Sequence, residues 1–225
     1  RRPELSSRRW GYLAGTDQQR RGDLISAQGK AQLLACARGG WGAARLLEER
    51  MSWQPGWLLG FSDITALLWS RLAAGQSGGV HGPLLTTLAK EPSWSQERLR
   101  QLLFGEAVPE LKGDGLGGGR VQGPLIAANL TVASHLIGSR HVPDLTGAIL
   151  ILEDVGEAPY RIDRLLTHWR LSGLLQKVAG IGFGSFSGCD DDERPSDQSF
   201  SFQEVLRDRT DDLNISRVID LPVGH

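Results

Sequence analysis

Trp57-Leu58-Leu59-Gly60-Phe61-Ser62-Asp63-Ile64-Thr65-Ala66-Leu67-Leu68 is the stretch on which the reading of this chain turns. Residues 57–61 form a short apolar run with no polar residue on alternate positions, the pattern of a strand buried on both faces. Beyond it, Ile64, Leu67, Leu68 and Leu72 recur at helical spacing, which predicts a helix over 63–74. The same order stands upstream: Leu33–Ala37 reads as a buried strand, Arg38-Gly39-Gly40 as a turn, and Ala43–Arg50 as a helix with Leu46 and Leu47 on one face. A further short amphipathic helix is expected over Asp17–Gln28. Strands alternating with helices in this way predict an α/β fold with a parallel sheet.

The composition changes at Lys112–Arg120, KGDGLGGGR, which is too rich in glycine for a stable helix or regular strand. It reads as the connection between domains 1–110 and 111–225, or a turn just inside the second. Beyond it the pattern predicts helices at Asn129–Ile137, Tyr160–Ser172 and Phe202–Arg209. Strands are expected at Ala148–Leu152, Val178–Phe183 and Val218–Leu221.

The 225 residues suffice for one large α/β domain or two smaller ones, and 23% are charged, an ordinary share. A formal net charge of −1 gives no basic footprint for nucleic acid or an anionic membrane. The apolar runs are too short to span a bilayer. Cys36 and Cys189 stand far apart outside any CxxC spacing, which fits a reducing compartment, and Cys36 in LLACA reads as a buried thiol. The chain opens on Arg1-Arg2-Pro3 and ends on Gly224-His225, and residues are expected to be missing at both ends.

Several residues could carry chemistry. Ser62 sits where a strand turns into a helix. A nucleophile there is lifted above the sheet edge and faces backbone N–H groups suited to an oxyanion. Helix capping by Ser62 or Asp63 is the plainer role, and the GxSxG elbow pattern is not met because Ile64 stands at the last glycine. The turn Arg38-Gly39-Gly40-Trp41-Gly42 allows close backbone approach to a ligand or an anion-binding nest, or is simply a tight turn. His81 follows a short strand and is either a substrate contact or a loop residue. Glu153 and Asp154 end an apolar strand, the position where α/β proteins build sites, and Glu157, Tyr160, Arg161, Asp163 and Arg164 follow as a charged helix start. No His, Cys, Asp or Glu group has metal-ligand spacing, and Asp190-Asp191-Asp192-Glu193 reads as a solvated loop.

Taken together these pieces resemble the LD-carboxypeptidase (muramoyl-tetrapeptide carboxypeptidase) family, which includes microcin-C immunity peptidases. The matching stretches are GTDQQRRGDL, ARGGWGAARLL, GFSDITALL, VHGPL, NLTVASHLIG, LILEDVGEAPYRIDRLLTHW, AGIGFGSF and LPVGH, and they cover most of the chain. The resemblance implies an N-terminal parallel-sheet (flavodoxin-like) domain and a smaller C-terminal α/β domain with the active site in the cleft between them. It implies Ser62 as nucleophile, Glu153 as triad acid with Glu157 as the lesser candidate, and His225 as base. Gly39, Gly40 and Asp63 would supply oxyanion N–H groups, with Trp41 and His81 near the substrate. It further implies a cytoplasmic homodimer in peptidoglycan recycling that takes a murein tetrapeptide and needs no metal or other cofactor.

Three departures stand beside it. Ala127-Ala128-Asn129-Leu130 replaces the family's Gly-Gly-Asn-Leu, the segment Gln28-Gly29-Lys30 is short, and the family's first strand-helix unit is not present before Arg1. Alternative readings are the same chemistry on a peptidyl-nucleotide, a non-catalytic ligand-binding protein on this fold, and a nucleotide-binding module. The last lacks the P-loop lysine and fingerprint spacing.

Overall fold

The computed structural model describes residues 10–190 and 198–225. It divides into two compact units, one of residues 1–108 with 139–143, the other of 109–138 with 144–225. Among the described residues no helix is long and apolar enough to cross a membrane.

In the first unit, α1 (Asp17–Ala27) opens on a capping box in which Thr16 and Gln19 exchange side-chain to backbone hydrogen bonds. A three-stranded parallel sheet follows, β1 (Leu33–Ala35), β2 (Trp57–Gly60) and β3 (Gly79–His81), in the order β1-β2-β3. Helix α2 (Thr65–Ala73) succeeds β2 after a single 3-10 turn at Ser62–Ile64, and α3 (Ser93–Leu103) lies further on. Leu59, Val80 and Leu99 form a buried cluster that brings sheet and α3 together. Arg71 is 4% exposed, and its guanidinium donates to the carbonyls of Gln54, Gly56 and Ser77. It thereby ties together the loops that lead into β2 and β3.

Two expectations change here. β1 is an edge strand and only half-buried, whereas a fully buried one was expected. The helix expected over 43–50 is one 3-10 turn, Ala44–Leu47. Leu46 and Leu47 are buried as expected, but Met51 and Trp53 are buried too, each 8% exposed. Two inward residues two apart require extended backbone, so the helix stops short.

The second unit is built on a five-stranded sheet in the order β4-β8-β7-β6-β5. The strands are β4 (Asp114–Gly115), β5 (Leu125–Asn129), β6 (Ile149–Val155), β7 (Gly180–Ser187) and β8 (Ser216–Ile219). All neighbours pair parallel except β4 with β8. Helices α4 (Leu130–Ser134), α5 (Pro159–Leu171) and α6 (Phe202–Asp208) connect them. Pro159 at the first turn of α5 suits its fixed φ and missing donor. Trp169 on α5 is 0% exposed, and its indole N–H donates to Ser134 Oγ on α4 at 2.7 Å. The strand β6 runs past Leu152, so Glu153 and Asp154 lie within it. Of the acidic loop, 191–197 lies outside the described residues. Asp190 accepts from the Phe202 N–H at 3.2 Å, at the start of α6.

Candidate active site

At the end of β2 the backbone turns through Phe61 and Ser62. Ser62 has φ 60°, in the left-handed region that a residue with a Cβ rarely adopts. Such a conformation costs roughly 1–2 kcal/mol and persists only where its surroundings enforce it. The enforcement is visible in the packing. A Cβ on Gly60 would meet Ile64 Cγ2 at 2.3 Å, so glycine two residues before the serine lets Ile64 fold back over the strand end. The isoleucine that breaks the GxSxG pattern thus fills space above Gly60 and does not spoil the turn.

The glycine-rich turn packs against the serine. A Cβ on Gly39 would lie 3.0 Å from Ser62 Cβ and 3.2 Å from the Phe61 carbonyl oxygen. Gly40 and Gly42 have φ of 100° and 102°, which fixes glycine at both positions. Trp41 between them is 57% exposed.

The capping role expected of Ser62 or Asp63 is not seen: neither the 3-10 turn nor α2 has a side-chain cap bond, and Asp63 reaches elsewhere. Its side chain is buried, and Oδ2 accepts from the Ala43 N–H at 2.8 Å. Burial pushes its carboxyl up, opposed by the backbone N–H groups of Ala43 and Gly42 and by the Arg20 charge. Arg20 in turn donates to the Gly42 carbonyl at 3.1 Å. Reading Asp63 as a helix cap or a backbone oxyanion donor missed this side-chain role. No sequence signal marks it, because which backbone N–H a buried acid faces is set by tertiary packing.

His81 ends β3 beside β2, paired in register with Gly60, and its ring meets Phe61 edge-on at 5.0 Å. Cys36, half-buried at the end of β1, has its thiol pushed up to about 11 by burial. It is therefore protonated at neutral pH and poorly suited to nucleophilic work.

In the second unit Glu153 is 0% exposed on β6, and its Oε2 lies 2.7 Å from His225 Nδ1. An ionised carboxylate can only accept, so Nδ1 carries the proton and Nε2 is the basic nitrogen. The segment before His225 is laid over β7. The Ser185 N–H donates to the Val223 carbonyl at 2.7 Å, and Ser187 Oγ donates to the His225 carbonyl at 2.6 Å. Gly224, at φ 123°, passes so close that a Cβ would meet Glu153 Cβ at 2.9 Å.

The neighbouring acids have other partners. Asp154 is 2% exposed and accepts from Asn129 Nδ2, the Thr131 N–H and Thr131 Oγ1, which ties β6 to the start of α4. Glu157 pairs with Arg161 at 3.4 Å. Arg161 and Arg164 both lie over the Tyr160 ring, at 5.8 Å and 5.5 Å from its centre. Among the described residues no cluster of three or more His, Cys, Asp or Glu side chains is placed to hold a metal ion.

A serine held at a left-handed strand-to-helix turn and a histidine seated on a buried carboxylate are the parts from which hydrolases of the serine type are made. The chain belongs to the LD-carboxypeptidase family: residues 2–82 match its N-terminal domain and residues 122–225 its C-terminal domain. It is a carboxypeptidase hydrolase, serine-type by the family's implication. A carboxypeptidase-family protein of Synechocystis is 51% identical over 96% of this chain and 73% of its own length. The murein tetrapeptide carboxypeptidase of Pseudomonas aeruginosa is 35% identical over 96% of this chain and 75% of its own. In fold, a muramoyltetrapeptide carboxypeptidase from Oxalobacter formigenes superposes with TM-score 0.82 at 24% identity, covering 98% of this chain and 78% of that one. A microcin C7 self-immunity protein does so with TM-score 0.82 at 21% identity, covering 99% and 77%.

Proposed function

We propose that this carboxypeptidase hydrolyses the amide between an L-configured centre of a diamino acid and a C-terminal D-alanine in murein tetrapeptides. The observation that carries the reading is the hydrogen bond between buried Glu153 and His225 Nδ1, which sets the imidazole as a base at Nε2. In this mechanism Nε2 takes the Ser62 proton as Oγ attacks the scissile carbonyl. The tetrahedral oxyanion is stabilised by backbone N–H groups near Gly39, Gly40 and Asp63, and collapses as Nε2–H protonates the leaving amine of D-alanine. Water, deprotonated by the same nitrogen, then releases the acyl group from Ser62. Glu153 orients the ring and stabilises its charged form without taking a proton itself. Trp41, exposed beside the glycines, and His81 would contact the substrate. The substrate class is supported by the 35% identity to the Pseudomonas murein tetrapeptide carboxypeptidase. Its setting in this proposal is cytoplasmic peptidoglycan recycling by a homodimer.

The test offers the chain L-Ala-γ-D-Glu-meso-diaminopimelate-D-Ala, the same peptide ending in L-alanine, and an aspartyl sulfamoyl adenosine, and follows the released amino acid. Release of D-alanine alone supports the assignment. Cleavage of the nucleotide conjugate with the tetrapeptide untouched would move the substrate to the immunity-peptidase class.

A further inference from the structure

We propose that the Asp63 carboxylate is a positioning residue that holds the Gly39–Gly42 turn against the nucleophile, with Arg20 clamping the turn from its other side. The inference rests on the serine-hydrolase reading above. Two separate pieces of backbone are asked to meet one oxyanion. One is the N–H that follows Ser62, fixed by the strand-to-helix turn. The other is a turn about twenty residues upstream whose glycines, Gly39, Gly40 and Gly42, would leave the backbone much conformational freedom if nothing held it. Oxyanion stabilisation depends on donors placed beforehand to within a few tenths of an ångström. Something has to fix the second piece to the first.

Asp63 does so through one residue. Its backbone follows the nucleophile, and its buried carboxylate accepts from the Ala43 N–H at 2.8 Å, just past the glycines. The Gly42 N–H also bears on it. From the opposite side Arg20 donates to the Gly42 carbonyl at 3.1 Å, so both ends of the peptide groups around Gly42 are engaged. Arg20 is itself steered by Asp17, 3.5 Å away, and Asp17 is fixed by Arg45. Gly42 is wedged in place, since a Cβ there would meet Leu13 Cδ2 at 2.7 Å and Arg20 Nη1 at 3.1 Å. A helix cap would not need a carboxylate aimed across to another segment.

The experiment compares kcat and KM for D-alanine release in Asp63→Ala, Asp63→Asn and Arg20→Met, with Ser62→Ala alongside. Loss of an aligned oxyanion donor lowers kcat by about 10²–10³, so Asp63→Ala should fall by that much. Its KM should stay within about threefold, because ground-state binding is not what is lost. Asp63→Asn, whose amide oxygen still accepts an N–H, should recover about tenfold or more of that loss, and Arg20→Met should lower kcat about tenfold. A folded Asp63→Ala with wild-type kcat, or with its whole loss in KM, overturns the proposal. Should Asp63→Ala fail to fold, Arg20→Met decides: reduced kcat at steady KM supports the clamp, and wild-type kcat overturns it. Activity in Ser62→Ala would overturn the serine reading and the clamp with it. An inactive Ser62→Ala beside a fully active Asp63→Ala would sink the clamp alone.

Discussion

At the scale of single residues, strain and burial separate Ser62 and Glu153 from their neighbours. Ser62 holds a left-handed φ of 60° that glycine would adopt without cost. Alanine is ordinarily the more stabilising of the two small residues, yet here the ranking should invert. Ser62→Gly should be more stable than Ser62→Ala by about 1 kcal/mol in urea unfolding, the size of the left-handed penalty. Equal stabilities would mean that the turn is not strained. Glu153 and Glu157 are four residues apart but differ in surroundings. The first is buried against His225, and the second pairs with Arg161 at the protein surface. Glu153→Gln should lower kcat by orders of magnitude because the amide no longer selects the Nδ1–H tautomer, while Glu157→Gln should leave it near wild type. The opposite ranking in steady-state assays would give the role to Glu157.

At the scale of elements, Ser62 stands just past the end of β2 and Glu153 within β6, and glycines permit the close approaches around them. Gly224 has both a positive φ and a near contact with Glu153. Gly224→Ala should therefore displace His225 and cut kcat by about 10² or more, the cost of misplacing a catalytic group by about 1 Å. Its melting temperature should stay close to wild type, since the glycine lies beyond the last strand. Unchanged kcat would show that the histidine is not held by this segment. Much of this level was legible in the sequence. β2, α2, β6 and α5 announce themselves by unbroken apolar runs or clear helical spacing. Helix α3 escaped because its apolar stripe is only Leu99, Leu102 and Leu103 at its C-terminal end, behind a polar first half, and Leu99 is the one residue of Ser93–Leu103 that is buried. Strand β5 escaped because Leu125-Ile126-Ala127-Ala128-Asn129 is weak in β-branched residues and abuts a helical run. Asn129 is the cap of α4, accepting from the Val132 N–H, so the expected helix start was one residue early. The ties from Asp63 to Ala43 and from Asp154 to Thr131 had no signature in sequence. They depend on which buried acid faces which backbone N–H, and that is settled only by tertiary packing.

At the scale of the whole molecule, two units are built on a three-stranded and a five-stranded sheet, and the segment 139–143 belongs with the first. His141 holds that segment. It bonds Ser70 Oγ through Nδ1 at 2.9 Å and the Leu47 carbonyl through Nε2 at 3.2 Å. Nε2 must therefore carry the proton, and Nδ1 accepts from the serine. Burial lowers its pKa from the ordinary 6.5. A proton thus binds the unfolded chain more readily, so this contribution to stability is present above about pH 6.5 and declines as pH falls through 6.5 toward the folded value. His141→Gln should flatten the pH dependence of unfolding below about pH 7. An unchanged slope would show that His141 is not linked to stability. Chelators should leave activity intact, as no group of donors among the described residues could seat a metal; loss restored by zinc would contradict that.

Ser62 is the residue on which the proposed mechanism turns. The measurement is D-alanine release from the murein tetrapeptide by wild type and Ser62→Ala at matched folded concentration. The expected result is a fall in kcat on the order of 10³ or more, with the circular dichroism spectrum unchanged. A folded Ser62→Ala that turns over within about tenfold of wild type would contradict the serine mechanism.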